Sequence, residues 1–223
     1  MAKLVIRDLT DIRFATVKAV FDEIAEDCSL LSVSDDGNYK LILTVDTDLV
    51  ISMQLAGGTA TFSSRSVVFN GNTLNSSTSS VTWGSIRIVI AYTDTFFFVW
   101  IKQFSGNSNI LYSFYEKLGN EKFAYGYVSS SSTSVTTVYD MDNKTYYRAA
   151  ITNYSYSLPI NYIDYMDSTI LVGSSGGYRA SEFDNNFLYI ISQVSGLTYN
   201  IVTIDNKDYY ALNNQYLIPI DPE

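Results

Sequence analysis

The chain has 223 residues, of which 47% are hydrophobic, and a formal net charge of −9 at pH 7. This length and composition allow a substantial buried core in one large domain or in two smaller ones. The acidic balance argues against nucleic-acid binding, because such binding depends on Lys and Arg side chains that neutralise phosphates. The chain has no His, which excludes His-dependent triads and zinc sites built on imidazole, and its single Cys cannot form an intrachain disulfide.

The composition is polar but poor in charge. Charged residues make up 17% of the chain, whereas soluble domains average roughly 25%. The 19 Tyr and 12 Phe residues favour β-strands, because planar rings pack well on a pleated sheet. Abundant Tyr together with Ser and Asn is also typical of surfaces that bind partners through rigid rings and adaptable hydrogen bonds.

The N-terminal segment contains the one predicted helix. Its apolar run is too short for a signal peptide, and no stretch of the chain reaches the roughly 18 apolar residues of a membrane span, so we expect synthesis in a cytoplasm. Residues 10–28 have helical periodicity, with Thr10 or Asp11 as the N-cap. The apolar positions are Phe14, Val17, Phe21, Ile24 and Cys28.

The apolar stripe of this helix has two interpretations. In the first, it covers a sheet of the same chain. In the second, two or three copies meet along it, since its spacing fits two heptads. The second interpretation predicts an assembly interface that consists of Phe14, Val17, Phe21 and Ile24.

From residue 29 onward the chain has the two-residue period of strands. Strands are predicted at residues 30–34, 39–45, 49–54, 59–62, 66–69, 81–92 and 95–104. A loop rich in Ser, Thr and Asn is predicted at residues 73–80. Residues 96–101 are all apolar, so we expect their strand to be covered on both faces and to be central to the core.

The second half of the chain contains an internal repeat. Residues 138–147, Val-Tyr-Asp-Met-Asp-Asn-Lys-Thr-Tyr-Tyr, reappear as residues 201–210, Ile-Val-Thr-Ile-Asp-Asn-Lys-Asp-Tyr-Tyr. Each copy is typical of a strand, a polar turn and a second strand, and each is followed by Tyr-x-x-Pro-Ile, at residues 156–160 and 216–220. The repeat predicts a duplicated β-hairpin unit.

These elements predict a mainly β fold with antiparallel, sandwich-like or jelly-roll-like sheets, one N-terminal amphipathic helix and a duplicated C-terminal β-hairpin unit. A boundary is predicted near residue 120. Residues 1–120 would hold the helix and the large apolar strands. Residues 121–223 would form a C-terminal β region with two related hairpin units, at about 121–160 and 184–220.

Clustered acids are the first candidates for chemistry. They occur at residues 35–36, 46–48, 140–143 and 184–186. None has the spacing of an EF-hand calcium loop, and turn formation explains all of them. Paired carboxylates also suggest glycoside hydrolysis, but most acids lie in turns or on the polar face of the helix. Glu116, Glu182 and Asp184 are among the few that have aromatic neighbours.

A serine motif is the other candidate. Residues 173–177 match Gly-x-Ser-x-Gly with Ser175 as the nucleophile, but a nucleophile elbow needs a following helix and a base such as His. Neither is present in the sequence pattern, so a glycine-serine linker is the better interpretation. The sequence therefore predicts no catalytic, cofactor-binding or metal-ligating residue, and a protein that is not an enzyme.

The C-terminal segment has a sequence pattern that resembles a known class of proteins. Residues 205–212 read Asp-Asn-Lys-x-Tyr-Tyr-x-Leu, and residues 216–221 read Tyr-Leu-Ile-Pro-Ile-Asp. This pattern, which spans residues 205–223 and recurs in the weaker upstream copy, resembles bacteriophage virion accessory proteins, the β-rich components of tails, baseplates and capsid decorations. The resemblance implies a multi-copy structural component of a phage particle, made in the host cytoplasm, whose partners are other virion proteins and further copies of itself.

The sequence also allows a second hypothesis, in which the function belongs to a different class. The chain would be a receptor- or carbohydrate-binding module, in which exposed Tyr and Trp side chains stack on the sugar rings of a host surface. A hydrolase is a distant third. Neither nucleic acid nor a membrane span is predicted among the partners.

Overall fold

The structure is a computed structural model. It describes residues 3–104, 109–118, 121–128, 137–140, 145–149, 165–167, 169–174, 177–182, 188–190, 201–204, 207–211 and 216–220. Across these residues the chain is mainly β, with antiparallel sheets and one α-helix, as the sequence predicts. Its contacts divide it into two units, Val5–Tyr146 and Tyr147–Glu223 with Met1–Leu4.

Among the described residues, the unit Val5–Tyr146 holds the helix and all or most of each of twelve strands. In chain order these are β1 (Lys3–Leu9), α1 (Phe14–Ala25), β2 (Leu31–Asp35), β3 (Lys40–Val45), β4 (Leu49–Leu55), β5 (Thr61–Phe69), β6 (Asn72–Ser77), β7 (Val81–Thr82), β8 (Ile86–Tyr92), β9 (Phe96–Gln103), β10 (Asn109–Leu118), β11 (Glu121–Val128) and β12 (Thr137–Asp140). A 3₁₀ turn, Ala56–Gly58, follows β4. The predicted boundary near residue 120 falls inside this unit, because β10 and β11 pair with each other across it.

Helix α1 is shorter than the predicted segment 10–28. Arg13 occupies the N-cap position, and no side chain caps the helix. The Asp11 carboxylate accepts hydrogen bonds from the Arg13 guanidinium instead, and Ile12 is buried at 4% exposure. The chain therefore turns inward at Ile12 before the first helical turn begins.

The first sheet has the strand order β2-β3-β4-β5-β6, and β7 pairs with β5 beside β6. Strands that are adjacent in sequence pair antiparallel, with Val45 opposite Leu49 across the turn between β3 and β4. Every second side chain of β3 and β4 is buried, which is the alternation of a strand with one face on a core. The predicted strands at 30–34, 39–45 and 49–54 are confirmed to within one residue.

Two predictions for this sheet are wrong. A single strand, β5, replaces the two strands predicted at 59–62 and 66–69, and β6 occupies part of the predicted loop 73–80. The polar run inside β5 does not break the strand, because Arg65 is buried and the Ser66 hydroxyl lies 2.8 Å from that of Ser52 on β4. Uncharged polar side chains here pair across strands rather than form loops.

The second sheet of this unit has the strand order β1-β8-β9-β10-β11-β12. No strand is predicted for residues 3–9, where β1 forms. The strand predicted at 81–92 is interrupted after Thr82, and β8 begins at Ile86. The prediction for residues 96–101 is confirmed, because β9 lies between β8 and β10 and all six side chains are buried.

The two sheets and the helix share one core. It contains apolar side chains from α1, from β3, β4 and β5 of the first sheet, and from β8 to β11 of the second. Across it, the rings of Phe69 and Tyr115 lie 6.2 Å apart. Val5 and Leu9 of β1 pack against its margin.

The remaining strands lie at or beyond the division between the units. They are β13 (Thr145–Ala149), β14 (Tyr165–Asp167), β15 (Thr169–Ser174), β16 (Gly177–Glu182), β17 (Leu188–Ile190), β18 (Ile201–Ile204), β19 (Lys207–Ala211) and β20 (Tyr216–Ile220). β13, β15 and β16 are successive neighbours, and the other five form a sheet in the order β14-β17-β20-β19-β18. The turns of both repeat copies lie outside the described residues, so the duplicated hairpin unit stays a prediction.

Candidate functional site

Three of the four predicted assembly residues of the helix lie in the core of their own chain. Val17 and Phe21 are 0% exposed and Ile24 is 3% exposed, because α1 packs on β2 and β3. In the single chain these three side chains are not accessible to a partner. Phe14 is half-buried and packs at the margin of the core, so it is the member of the set with accessible surface. The assembly role of the set stays a prediction.

Phe14 contacts an exposed tyrosine, Tyr39, which is 49% exposed. The ring centroids of Phe14 and Tyr39 are 5.9 Å apart with an interplanar angle of 68°, which is the edge-to-face geometry that aromatic pairs favour. Gly58 lies against the same tyrosine ring, since a Cβ built on it would be 2.9 Å from two ring carbons. We refer to the area formed by Tyr39, Phe14 and Gly58 as the Tyr39 surface.

Three elements position the Tyr39 surface: the turn between β2 and β3, the 3₁₀ turn after β4, and the start of α1. The backbone N–H of Leu55 donates to the Tyr39 carbonyl at 2.9 Å. The Gln54 side-chain amide donates to the Asn38 carbonyl at 3.1 Å. Both bonds join the β2–β3 turn to the end of β4 and fix the backbone on which Tyr39 stands.

Two carboxylates shape the turn that carries Tyr39. Asp35 Oδ1 accepts a hydrogen bond from the backbone N–H of Gly37 at 3.1 Å, and Asp36 Oδ1 accepts one from Asn38 at 3.0 Å. Side chains that bind the backbone two residues ahead are typical of Asx turns. The acids at 35–36 therefore have the turn-forming role that the sequence predicts.

Tyr115 and Asp46 join the two sheets. The Tyr115 hydroxyl, on β10, donates to Asp46 Oδ2 in the turn between β3 and β4. Lys117 Nζ lies 3.5 Å from the same oxygen. Burial, and after it the hydrogen bond to Asp46, raise the pKa of Tyr115 far above its usual value. The phenol therefore stays protonated and acts as a tether.

A second tyrosine tether joins β8 to the end of the helix. The Tyr92 hydroxyl donates to Asp27 Oδ2 at 3.0 Å. Burial, followed by this hydrogen bond, raises the pKa of Tyr92 to about 12. Neither tether is predictable from the sequence, because Tyr92 and Asp27 are 65 positions apart and neither residue belongs to a recognisable motif.

Arg65 is a buried cation on β5, at 1% exposure. It lies where the partner of β5 changes from β7 to β6. Its guanidinium donates to the carbonyl oxygens of Phe62 at 3.1 Å and Ser79 at 3.0 Å, and to the Ser77 hydroxyl at 3.3 Å. Burial lowers its pKa. Arg65 thus anchors the segment that leads from β6 to β7.

Lys102 is a second buried cation among the described residues, at 2% exposure near the end of β9. Its ammonium lies 5.6 Å from the Trp100 ring centroid. Burial, and after it the nearby Arg87 charge, lower the pKa of Lys102 to about 8. Arg87 donates to both oxygens of Asp8 on β1 at 2.6 and 2.7 Å, which attaches β1 to the rest of its sheet.

Some of the candidate catalytic and metal-binding motifs lie among the described residues, and others do not. Among the described residues no group of three His, Cys, Asp or Glu side chains could hold a metal ion. The acids at 141–143 and 184–186, and Ser175, lie outside the described residues. β15 ends at Ser174, immediately before Ser175, and β16 begins at Gly177. A strand therefore follows the Gly-x-Ser-x-Gly motif, where a nucleophile elbow has a helix.

No protein-family model, curated protein or solved structure matches this chain. Within the described part of the chain, no helix has the length and apolar content needed to cross a membrane. A functional conclusion therefore depends on the geometry given above.

Proposed function

We propose that this protein is a structural component of a bacteriophage particle, which assembles in several copies through protein-protein contacts. The observation that carries the proposal is how the buried polar groups are used. Tyr115, Tyr92 and Arg65 each bind a group of the same chain and join one element to another. Buried hydrogen bonds that join separate elements make a body rigid, whereas catalytic groups face a substrate cleft.

The composition supports the same proposal. Interfaces between proteins are enriched in Tyr, Phe and Trp and depleted in Lys, Glu and Asp. With 17% charged residues and 19 Tyr, the chain can bury surface against other copies without removing many charges from water. Its partners in this proposal are other virion proteins and further copies of the chain.

The proposed architecture is a sandwich of two antiparallel sheets, jelly-roll-like in its packing, followed by a duplicated hairpin unit. Side chains from both sheets of Val5–Tyr146 meet in one core, which supports the sandwich. The repeat at 138–147 and 201–210 supports the duplication, as does the antiparallel pairing of β18 with β19. The resemblance of residues 205–223 to virion accessory proteins supports a location in the particle, after synthesis in the host cytoplasm.

The test is the genomic context together with the composition of particles. We expect the gene to lie among genes for a portal, a sheath or a tape measure. We also expect peptides of this chain in purified particles, at a fixed ratio to other virion proteins, by quantitative mass spectrometry. A gene among metabolic genes, with particles that contain no such peptides, would contradict the proposal.

A second candidate function is a receptor- or carbohydrate-binding module. The Tyr39 surface favours it, because an exposed tyrosine held by three elements is suited to contact a ligand. The two candidates are compatible in a particle component that contacts a host surface. Glycan binding that depends on Tyr39 would support the second candidate, and silence across a glycan array would count against it.

A further inference from the structure

Tyr39 has a backbone conformation that a bulky residue rarely adopts. Its φ is 57°, in the left-handed region, where the Cβ of an L-residue crowds the following carbonyl. Gly or Asn occupies such positions at lower cost. Bulky residues persist there only where the surrounding structure holds them, and such positions cluster at functional sites.

The tyrosine ring is held on two sides. Gly58 approaches it so closely that any larger residue at 58 would overlap the ring, and Gly58 itself has a φ of 71°. Phe14 contacts it edge-on. These two contacts restrict the positions of the ring before any ligand arrives, which lowers the entropy cost of binding.

The turn that carries this ring also carries two acidic residues. Asp35 and Asp36 belong to the same turn, and both are exposed. Each uses Oδ1 to accept a backbone hydrogen bond, and within the described residues Oδ2 of each accepts none. Free carboxylate oxygens on a turn that also carries an exposed aromatic ring can accept hydrogen bonds from ligand hydroxyl groups.

The size and charge of the Tyr39 surface limit the class of ligand that it can bind. A stable protein interface buries about 800 Å² on each partner, far more than one aromatic ring presents, while a single sugar ring matches it in size. The two carboxylates and the net charge of −9 disfavour anionic ligands. A ligand that is one uncharged ring, with an apolar C–H face and several hydroxyl groups, fits both the size and the charge of this surface.

We propose that the Tyr39 surface binds a neutral saccharide. One sugar ring packs on the Tyr39 ring, and its hydroxyl groups donate to the free carboxylate oxygens of Asp35 and Asp36. This inference rests on the second candidate function and names its site and its class of ligand. It does not depend on assembly.

The test compares two substitutions of exposed aromatic residues. Tyr39→Asn removes the ring and places at position 39 a residue that tolerates the left-handed conformation. Phe104→Ala is the matched control, because Phe104 is similarly exposed, at 44%, and lies at the end of β9. Binding of neutral oligosaccharides is measured on a glycan array and then by titration calorimetry.

We expect the full chain to bind at least one neutral glycan. We also expect Tyr39→Asn to weaken that binding at least tenfold and Phe104→Ala to change it less than twofold. The thermal midpoint of Tyr39→Asn is expected to equal or exceed that of the parent chain, which shows that loss of binding is not loss of fold. Asp35→Asn together with Asp36→Asn is expected to weaken binding while the ring stays in place.

Three results would overturn the inference: no neutral glycan binds, only anionic glycans bind, or Tyr39→Asn binds as well as the parent chain. The mass of Tyr39→Asn, measured by light scattering, shows whether the protein still assembles when the proposed saccharide site is changed. If saccharide binding fails while the protein still forms a defined oligomer, the saccharide site is wrong and the assembly proposal stands.

Discussion

Gly126 on β11 lies against the side chain of Val67 on β5. A Cβ built on Gly126 would be 2.5 Å from Val67 Cγ1, closer than non-bonded carbon atoms approach. At this point the two sheets meet with no side chain from β11 between them. The glycine is required here by packing across the core.

We therefore expect Gly126→Ala to lower the free energy of unfolding. Overpacking a dense core costs about 1–3 kcal/mol, and a methyl group at this position has no space unless the sheets separate. Urea denaturation of the purified variant measures the change.

The Val67→Gly background provides the control for this prediction. The new Cβ would also lie 2.6 Å from the Val67 Cβ, so only removal of the whole valine side chain opens space for it, and Gly126→Ala is expected to cost less there than in the parent chain. Strictly additive costs in this double-mutant cycle would mean that the two residues do not interact.

The bond between Tyr115 and Asp46 gives a second prediction. Tyr115→Phe removes a hydrogen bond to a charged group between the two sheets, which is worth about 1.5–3 kcal/mol. We expect a loss of that size in the free energy of unfolding. Tyr39→Phe is the matched control, because within the described residues the Tyr39 hydroxyl makes no hydrogen bond, and its loss is expected to leave stability unchanged. Equal effects of the two substitutions would contradict the tether.

The tether between Tyr92 and Asp27 predicts a dependence of stability on alkaline pH. In the folded chain the pKa of Tyr92 is raised to about 12, from roughly 10 in an unfolded chain. Its contribution is therefore fully present below pH 10 and is lost as the pH rises from about 10 to 12. Comparing the parent chain with Tyr92→Phe at each pH isolates this group. We expect the advantage of the parent chain to shrink across that range, and a constant difference would contradict the assignment.

The β class of the fold was predictable because its signals are local. The alternation of β3 and β4 and the apolar run of β9 each identify a strand from its own residues, and the structure confirms them. The Asp-rich turn at 35–36 was predictable for the same reason, since an Asx turn involves only neighbouring residues.

The errors concern features that depend on distant residues. β6 is polar except for Leu74 and becomes a strand because it pairs with β5, which no pattern within residues 72–77 indicates. The helix begins later than predicted, and Ile12, immediately before its N-cap residue, is buried in the core. The Tyr39 surface brings Phe14, Tyr39 and Gly58 together from three elements. The sequence shows that these residues are present but does not indicate that they contact one another.

The helix stripe predicts two different outcomes for two of its residues. Phe21 is fully buried, so Phe21→Ala is expected to cost about 3–5 kcal/mol of folding free energy. Phe14 is half-buried, so Phe14→Ala is expected to cost much less and to leave a folded chain. Thermal unfolding followed by circular dichroism compares the two. A folded Phe14→Ala is also the variant with which a role of this stripe in assembly can be measured. An equal loss in both variants would mean that Phe14 belongs to the core.

The most direct measurement of the central claim is the mass of the purified protein by light scattering, over a wide range of concentration. The account predicts one defined oligomer whose mass is a fixed multiple of that of a single chain. A single-chain mass at every concentration, with and without the neighbouring virion proteins, would contradict it.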